Sequence, residues 1–317
     1  GSCYRRGMSW LARIGEYSPA AWGMMLVAAC LTLLPLLVLG FGGERMQAWA
    51  QGLFRRPGAL AAWGRLISPA VLVVPYALVA CACGDFHLRW LAVYLLLPVA
   101  VAALLEDARR ADPQQRGSWR ELLVLGGLGL AVDLRWLEGA WPPHLAVFSK
   151  LLLLDAGIYG FLVVRQLNGV GFDLRLRPRD LFSGAREYAL YAPIAILLGL
   201  GLGFLHFHAR WPSLAEAAGA FGFTFLFIAV PEELFFRGWM QNLLERRLGR
   251  IPALMATSVL FGLSHFNKRA AHFNWRYVLM AALAGIFYGR AWRRDRRVGA
   301  SALTHALVDS TWSLWLR

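Results

Sequence analysis

Three short constellations in the last 90 residues carry side chains able to do chemistry, and each sits in an apolar stretch. The first is Pro231-Glu232-Glu233-Leu234-Phe235-Phe236-Arg237. The second is Phe261-Gly262-Leu263-Ser264-His265, and the third is His305-Ala306-Leu307-Val308-Asp309. An ionisable side chain at the centre of an apolar helix in lipid costs about 2.5–3.5 kcal/mol on insertion scales, so such residues are functional candidates by default. Glu233 and Arg237 are four apart and share a helix face, where they can pair. Glu232 is rotated by about 100° and cannot be neutralised equally well by the same arginine. The spacing therefore predicts one paired carboxylate and one free carboxylate, the free one suited to act as a general base toward water. His305 and Asp309 also share a face at i, i+4, and can bond to each other or hold a common ligand.

These groups need elements to position them, and the rest of the chain supplies apolar helices. Of 317 residues, 58% are hydrophobic and only 16% charged, well below the roughly 25% charged residues of a soluble domain. Apolar runs fall at about 21–42, 66–83, 88–105, 121–138, 144–164, 188–207, 214–240, 252–266, 277–292 and 301–316, and about 20 residues cross a bilayer as a helix. The expected fold is all-α, a polytopic membrane bundle of about 8–10 transmembrane helices. The run at 121–138 is the weakest, interrupted by Asp133, Arg135 and Glu138. The polar connection 165–187 suggests a boundary: 1–185 as an N-terminal transmembrane extension and 186–317 as the core that carries the chemistry. The mixed stretch 44–65 reads as a segment on the membrane surface.

The net charge of +14 raises the question of nucleic acid. The arginines lie between the apolar runs rather than along one soluble face, so no nucleic-acid partner is expected and the lipid bilayer is. Seventeen basic residues lie in the loops around 109–120, 165–186, 246–250 and 290–297, against five (Arg89, Arg210, Lys268, Arg269 and Arg276) on the other side. The richer side is expected to be cytoplasmic. The tail residues Arg5, Arg6 and Arg13 do not fit this alternation. Cys3, Cys30, Cys81 and Cys83 form neither a zinc-finger nor a disulfide framework. The leading Gly1-Ser2 reads as a cloning remnant.

Depth along the helices links the first two constellations. Glu232 lies 17 residues before Gly249 and His265 lies 16 after it. Antiparallel helices joined by a tight turn would place both at one level. His305, only a few residues past the 293–300 connection, would need tilt, or a part of 241–250 along the interface, to reach them.

In this order the three motifs resemble the CPBP family of glutamate-type intramembrane proteases, which comprises CAAX-processing Rce1-type proteases with bacterial Abi-type and bacteriocin-processing relatives. The resemblance covers about residues 186–317, and Ala284-Gly285-x-x-x-Gly289 resembles the family's penultimate helix. It implies an intramembrane endopeptidase in which Glu232 and His265 activate a water. His305 and Asp309 would stabilise the oxyanion, with Glu233, Arg237 and Phe261 as structural support. Asp309 stands where relatives often carry Asn. As an anion it accepts hydrogen bonds and would orient His305 rather than donate to an oxyanion. No cofactor is expected. The alternative is a zinc site on His265, His305 and Asp309, since zinc accepts both ligand types. The implied partner is a protein or peptide substrate, including one with a C-terminal membrane-associated tail, and the implied location is a bacterial cytoplasmic (inner) membrane.

Each of these residues also fits a purely structural role. Glu233–Arg237 is most simply a buried structural pair, His265 a satisfied core histidine, and His305–Asp309 interhelical glue. Asp155 and Lys150 lie within one span and could pair on one side of it, and no chemistry is assigned to them. A non-catalytic scaffold or immunity protein would keep the fold without needing every motif. A proton-coupled transporter would use the same residue types, but the chain has no internal repeat.

Overall fold

The computed structural model describes residues 17–54, 58–208, 211–268 and 272–316. Cys3, Arg5, Arg6, Arg13, Arg210 and Arg269 lie outside them. Among the described residues the chain is about 80% helical, without strands. Ten helical rods follow the ten apolar runs: α1 Pro19–Gly52, α2 Ala59–Cys83, α3 Leu88–Ala111, α4 Trp119–Asp133, α5 Pro143–Val164, α6 Pro178–Gly201, α7 Leu214–Leu248, α8 Arg250–Leu263, α9 Trp275–Asp295 and α10 Val298–Trp315. Five of them (α1, α2, α3, α5 and α7) are long and apolar enough to cross a membrane on length and composition alone. The fold is an all-α polytopic membrane bundle, as the run pattern predicts.

Local sequence sets the rod ends. Ser18 accepts from the Ala21 amide ahead of Pro19, whose missing N–H costs nothing in a first turn. Ser213 and Glu216 form a reciprocal cap at the start of α7. Gly249, at φ 82°, makes the tight turn into α8. α1 turns sharply at Gly43 (φ 55°, ψ −149°), so residues 44–52 form a separate helical piece after the first apolar run. α4 stops at Asp133, where the interrupting charges begin.

Position 185/186 falls within α6, about a third of the way along it. One apolar core runs from Ala21 to Ala306, so the extension and the C-terminal helices share their packing. Phe161 of α5 stacks on Trp239 of α7 at 4.9 Å, and the Trp292 indole of α9 donates to the Val170 carbonyl at 3.1 Å. Asp155 and Lys150 do not pair. Lys150 reaches Glu138 at 3.4 Å, while Asp155 is buried with Oδ2 unpartnered.

The arginine-rich loops meet on one face. Arg246 and Arg247 donate to the carbonyls of Gln115 and Gly117, and Arg296 bridges Asn242 and Glu245. Arg297 binds Asp173 and Asp180. This places the loops counted together in the charge alternation on a common side of the bundle.

Candidate active site

Helix α7 carries the two glutamates, and Pro231 shapes it locally. Proline has no N–H to donate to the carbonyl one turn back, which loosens the regular ladder. The helix widens into π-helical turns on both sides, at Phe225–Ala229 and Leu234–Gln241. Such wide turns within α-helices often accompany functional sites.

Glu233 points inward and is fully buried. Arg237 Nε lies 3.1 Å from its Oε2, the Ser301 hydroxyl donates to the same oxygen, and His305 Nδ1 lies 2.9 Å from Oε1. Arg237 is itself fully buried, 5.0 Å from the Phe261 ring centroid, with Nη2 donating to the Gly285 carbonyl at 3.2 Å. Gly285 lies against Ser258 of α8, and a side chain there would crowd that contact. The small-residue run of α9 thus lets the helices close around the arginine. Breaking a buried pair of this kind by removing one partner typically costs about 3–5 kcal/mol.

Glu232 has different surroundings. Its side chain keeps 27% exposure. Lys268 Nζ lies 3.7 Å from Oε1, and His305 Nε2 lies 3.9 Å from Oε2. Oε2 is buried with no hydrogen-bond partner.

The depth of His305 has a simple explanation. α9 and α10 do not turn at the level of Gly249. Arg296 pairs with Glu245 at 2.8 Å and with Asn242 at 3.0 Å, so α10 starts about one to two turns deeper. Counting eight residues on from Arg297, and nine back from Asn242, brings His305 and Glu233 to one level at about 1.5 Å per residue. Residues Val298 to Ala302 are correspondingly all buried.

His305 sits between three carboxylates. Its Nδ1 faces Glu233, while Nε2 faces both Glu232 and Asp309, the latter with Oδ2 at 3.5 Å. That distance exceeds an ordinary hydrogen bond. Asp309 thus faces Nε2 at a longer range, while Glu233 bonds Nδ1 and Tyr288 stacks on the ring at 4.6 Å and 15°. Glu233 is thereby more than a partner for Arg237.

His265 follows the end of α8. Its Nδ1 is 2.8 Å from the Phe261 carbonyl. A carbonyl only accepts, so this contact assigns the proton to Nδ1 and leaves Nε2 as the ring's acceptor. Phe261 touches His265, His305 and Arg237, with ring separations of 4.9 and 5.6 Å to the histidines. His265, His305 and Asp309 line a cavity of about 650 Å³, its open mouth included, walled by aromatic residues such as Tyr277, Tyr288 and Trp312. Glu232 is not part of that lining, so His305 is the residue that touches both the free carboxylate and the cavity.

A zinc site would need three ligands to converge. Among the described residues no three His, Cys, Asp or Glu side chains do so. His305 gives Nδ1 to Glu233, and Nε2 lies between two carboxylates that face it from different elements.

Sequence reasoning missed Ser301, Tyr288 and Lys268. Ser301 lies four residues before His305 on the same helical face, a spacing that points to it. Tyr288 and Lys268 carry no such local signal.

Residues 214–311 match the family model described as Type II CAAX prenyl endopeptidase Rce1-like. The matched segment starts at α7 and includes all three motifs. No curated protein and no solved structure matches the chain.

Proposed function

We propose, from the membership of residues 214–311 in the Rce1-like family of CAAX-type intramembrane proteases, that the chain is an intramembrane endopeptidase in which Glu232 activates the attacking water. One observation carries the reading: Glu232 Oε2 is a buried, unpartnered acceptor 3.9 Å from His305 Nε2. A water lying about 2.8 Å from both atoms satisfies each.

Glu232 takes one proton from that water, and the hydroxide attacks the carbonyl carbon of a peptide seated against His265 and His305. His265, with Nε2 as acceptor, orients the water. His305 in its doubly protonated form keeps Nδ1–H on Glu233 and turns Nε2–H toward the developing oxyanion. Such a preorganised donor is worth roughly 10²–10³ in rate. Collapse of the tetrahedral intermediate breaks the C–N bond, and the proton held by Glu232 passes to the leaving amine. The other water proton stays with the carboxyl product. Glu233, Arg237 and Ser301 keep the imidazole at its angle.

The aromatic and aliphatic wall of the cavity suits a protein or peptide substrate whose scissile bond lies close to an apolar, membrane-associated segment such as a C-terminal tail. In this reading the arginine-rich face is cytoplasmic, and the membrane is a bacterial inner membrane. Cleavage proceeds without a metal, and metal analysis of purified protein separates it from the zinc alternative.

The test is cleavage of internally quenched peptides bearing an apolar C-terminal segment, by protein reconstituted in lipid nanodiscs. Glu232→Gln should lower the rate about 10²–10⁴-fold, the usual contribution of a positioned general base. Cleavage by a folded, inserted E232Q at the wild-type rate overturns the reading.

A further inference from the structure

Glu232 faces the seam between the C-terminal helices and the N-terminal extension, and the cation it meets there has no counterpart in the three motifs. Lys268 lies in the short segment after α8, three residues past His265. That segment is wound by backbone bonds from His265 N to Gly262 O (3.0 Å), Phe266 N to Leu263 O (3.0 Å) and Lys268 N to His265 O (3.2 Å). It is then tied at two further points. Asn274, which caps α9, donates its side-chain amide to the Lys268 carbonyl at 3.1 Å and its backbone amide to the Phe266 carbonyl at 2.8 Å. Asn267 donates to the carbonyl of Asp133, the last residue of α4, at 3.0 Å. Asp133 lies 81 residues before the matched family segment begins, so this tie comes from the extension.

The ties place the Lys268 backbone within side-chain reach of Glu232. Lys150, the nearest cation of α5, is taken by Glu138. Lys268 reaches Oε1 of Glu232 at 3.7 Å, while the other oxygen, Oε2, stays unpartnered and directed at His305. A carboxylate is flat, so an ion pair on one oxygen limits rotation of the other. With 40% exposure the Lys268 head stays hydrated, so its effect is one of placement rather than a deep electrostatic trap.

We propose that Lys268 is a positioning residue for Glu232, and that the N-terminal extension holds it in place through the Asp133 carbonyl and Asn267. This rests on Glu232 being the base. Lys268 fixes the carboxylate so that Oε2 presents its lone pair to the water beside His305. The extension therefore takes part in setting turnover, without itself supplying a reacting group.

The experiment compares wild type, Lys268→Met, Lys268→Arg and Asn267→Ala in nanodiscs with the same quenched peptides. It adds a thermal-melt cycle of E232Q, K268M and the double variant. Methionine keeps most of the stem and removes the charge. K268M should lower kcat about 5-fold with KM unchanged, K268R should restore it, and N267A should fall in the same direction by less. In the melt cycle K268M should lower Tm by about 2 °C in the wild-type background and have no effect in E232Q. Wild-type kcat in K268M, no rescue by K268R, or additive Tm shifts each overturn the proposal. If E232Q itself cleaves at the wild-type rate, the base assignment fails instead, and a coupled Tm cycle still reports the ion pair.

Discussion

Glu232 and Glu233 are neighbours with the same side chain, yet they occupy opposite kinds of place. The Glu233 corner is sealed: zero exposure, with Arg237, Ser301 and His305 as partners. The Glu232 corner is partly open, with one loose cation and an oxygen left unpartnered. The 100° step between successive helix positions turns one carboxylate into the packing of α9 and α10 and the other toward the seam with the extension. A sealed carboxylate whose two oxygens are both engaged stabilises a geometry but has no acceptor left to offer a substrate. The open corner keeps an acceptor available because the fold has not satisfied it.

The largest stability effect belongs to the sealed corner. Arg237→Met leaves Glu233 buried without its cation and should cost about 3–5 kcal/mol, read as a lower melting temperature and lower yield of folded protein. A melt close to wild type would mean that Glu233 is less dependent on its partners than its burial implies. The next effect concerns His305. If Glu233 holds the ring and Asp309 only faces it across 3.5 Å, Asp309→Asn should lower turnover less than about 10-fold, whereas His305→Ala should lower it about 10²–10³-fold. Equal losses in the two variants would return the orienting role to Asp309.

The smallest effect lies away from both glutamates, in the loop beneath α10. Burial works against ionisation of Asp173, but hydrogen bonds from Arg175 and Arg297 outweigh it and hold the carboxyl below the usual range. A depressed folded value gives stability that is fully present above the unfolded value of about 4 and lost as pH falls through the folded one. The melting temperature should therefore decline below about pH 4, and Asp173→Asn should flatten that decline. An identical acid slope in the variant would show that this clamp does not contribute.

Much of the architecture was legible because apolar run length is a strong signal in lipid. The ten runs became ten rods, including the short α4 that ends where Asp133 interrupts it. The Glu233–Arg237 pairing followed from i, i+4 geometry alone. Other features depend on register between distant segments. The depth of His305 depended on α7 running one to two turns past the α9–α10 turn, which Arg296 and Glu245 reveal and local sequence does not. Lys268 looked like a loop charge because its significance comes from a contact with Glu232 across 36 positions and from an anchor to α4. The polar stretch 165–187 read as a boundary, but Val170, Phe172 and Leu174 are buried in the common core. Composition could not distinguish a linker from a polar segment packed into a bundle.

Whether the two carboxylates divide the work is decided by a paired assay of Glu232→Gln and Glu233→Gln in the same nanodiscs, reading Tm and the cleavage rate of the quenched peptide on each sample. E232Q should melt near wild type with its rate down about 10²–10⁴-fold, while E233Q should lose about 3–5 kcal/mol of stability. An E232Q protein that is folded and cleaves at the wild-type rate, or an E233Q protein as stable as wild type, would contradict it.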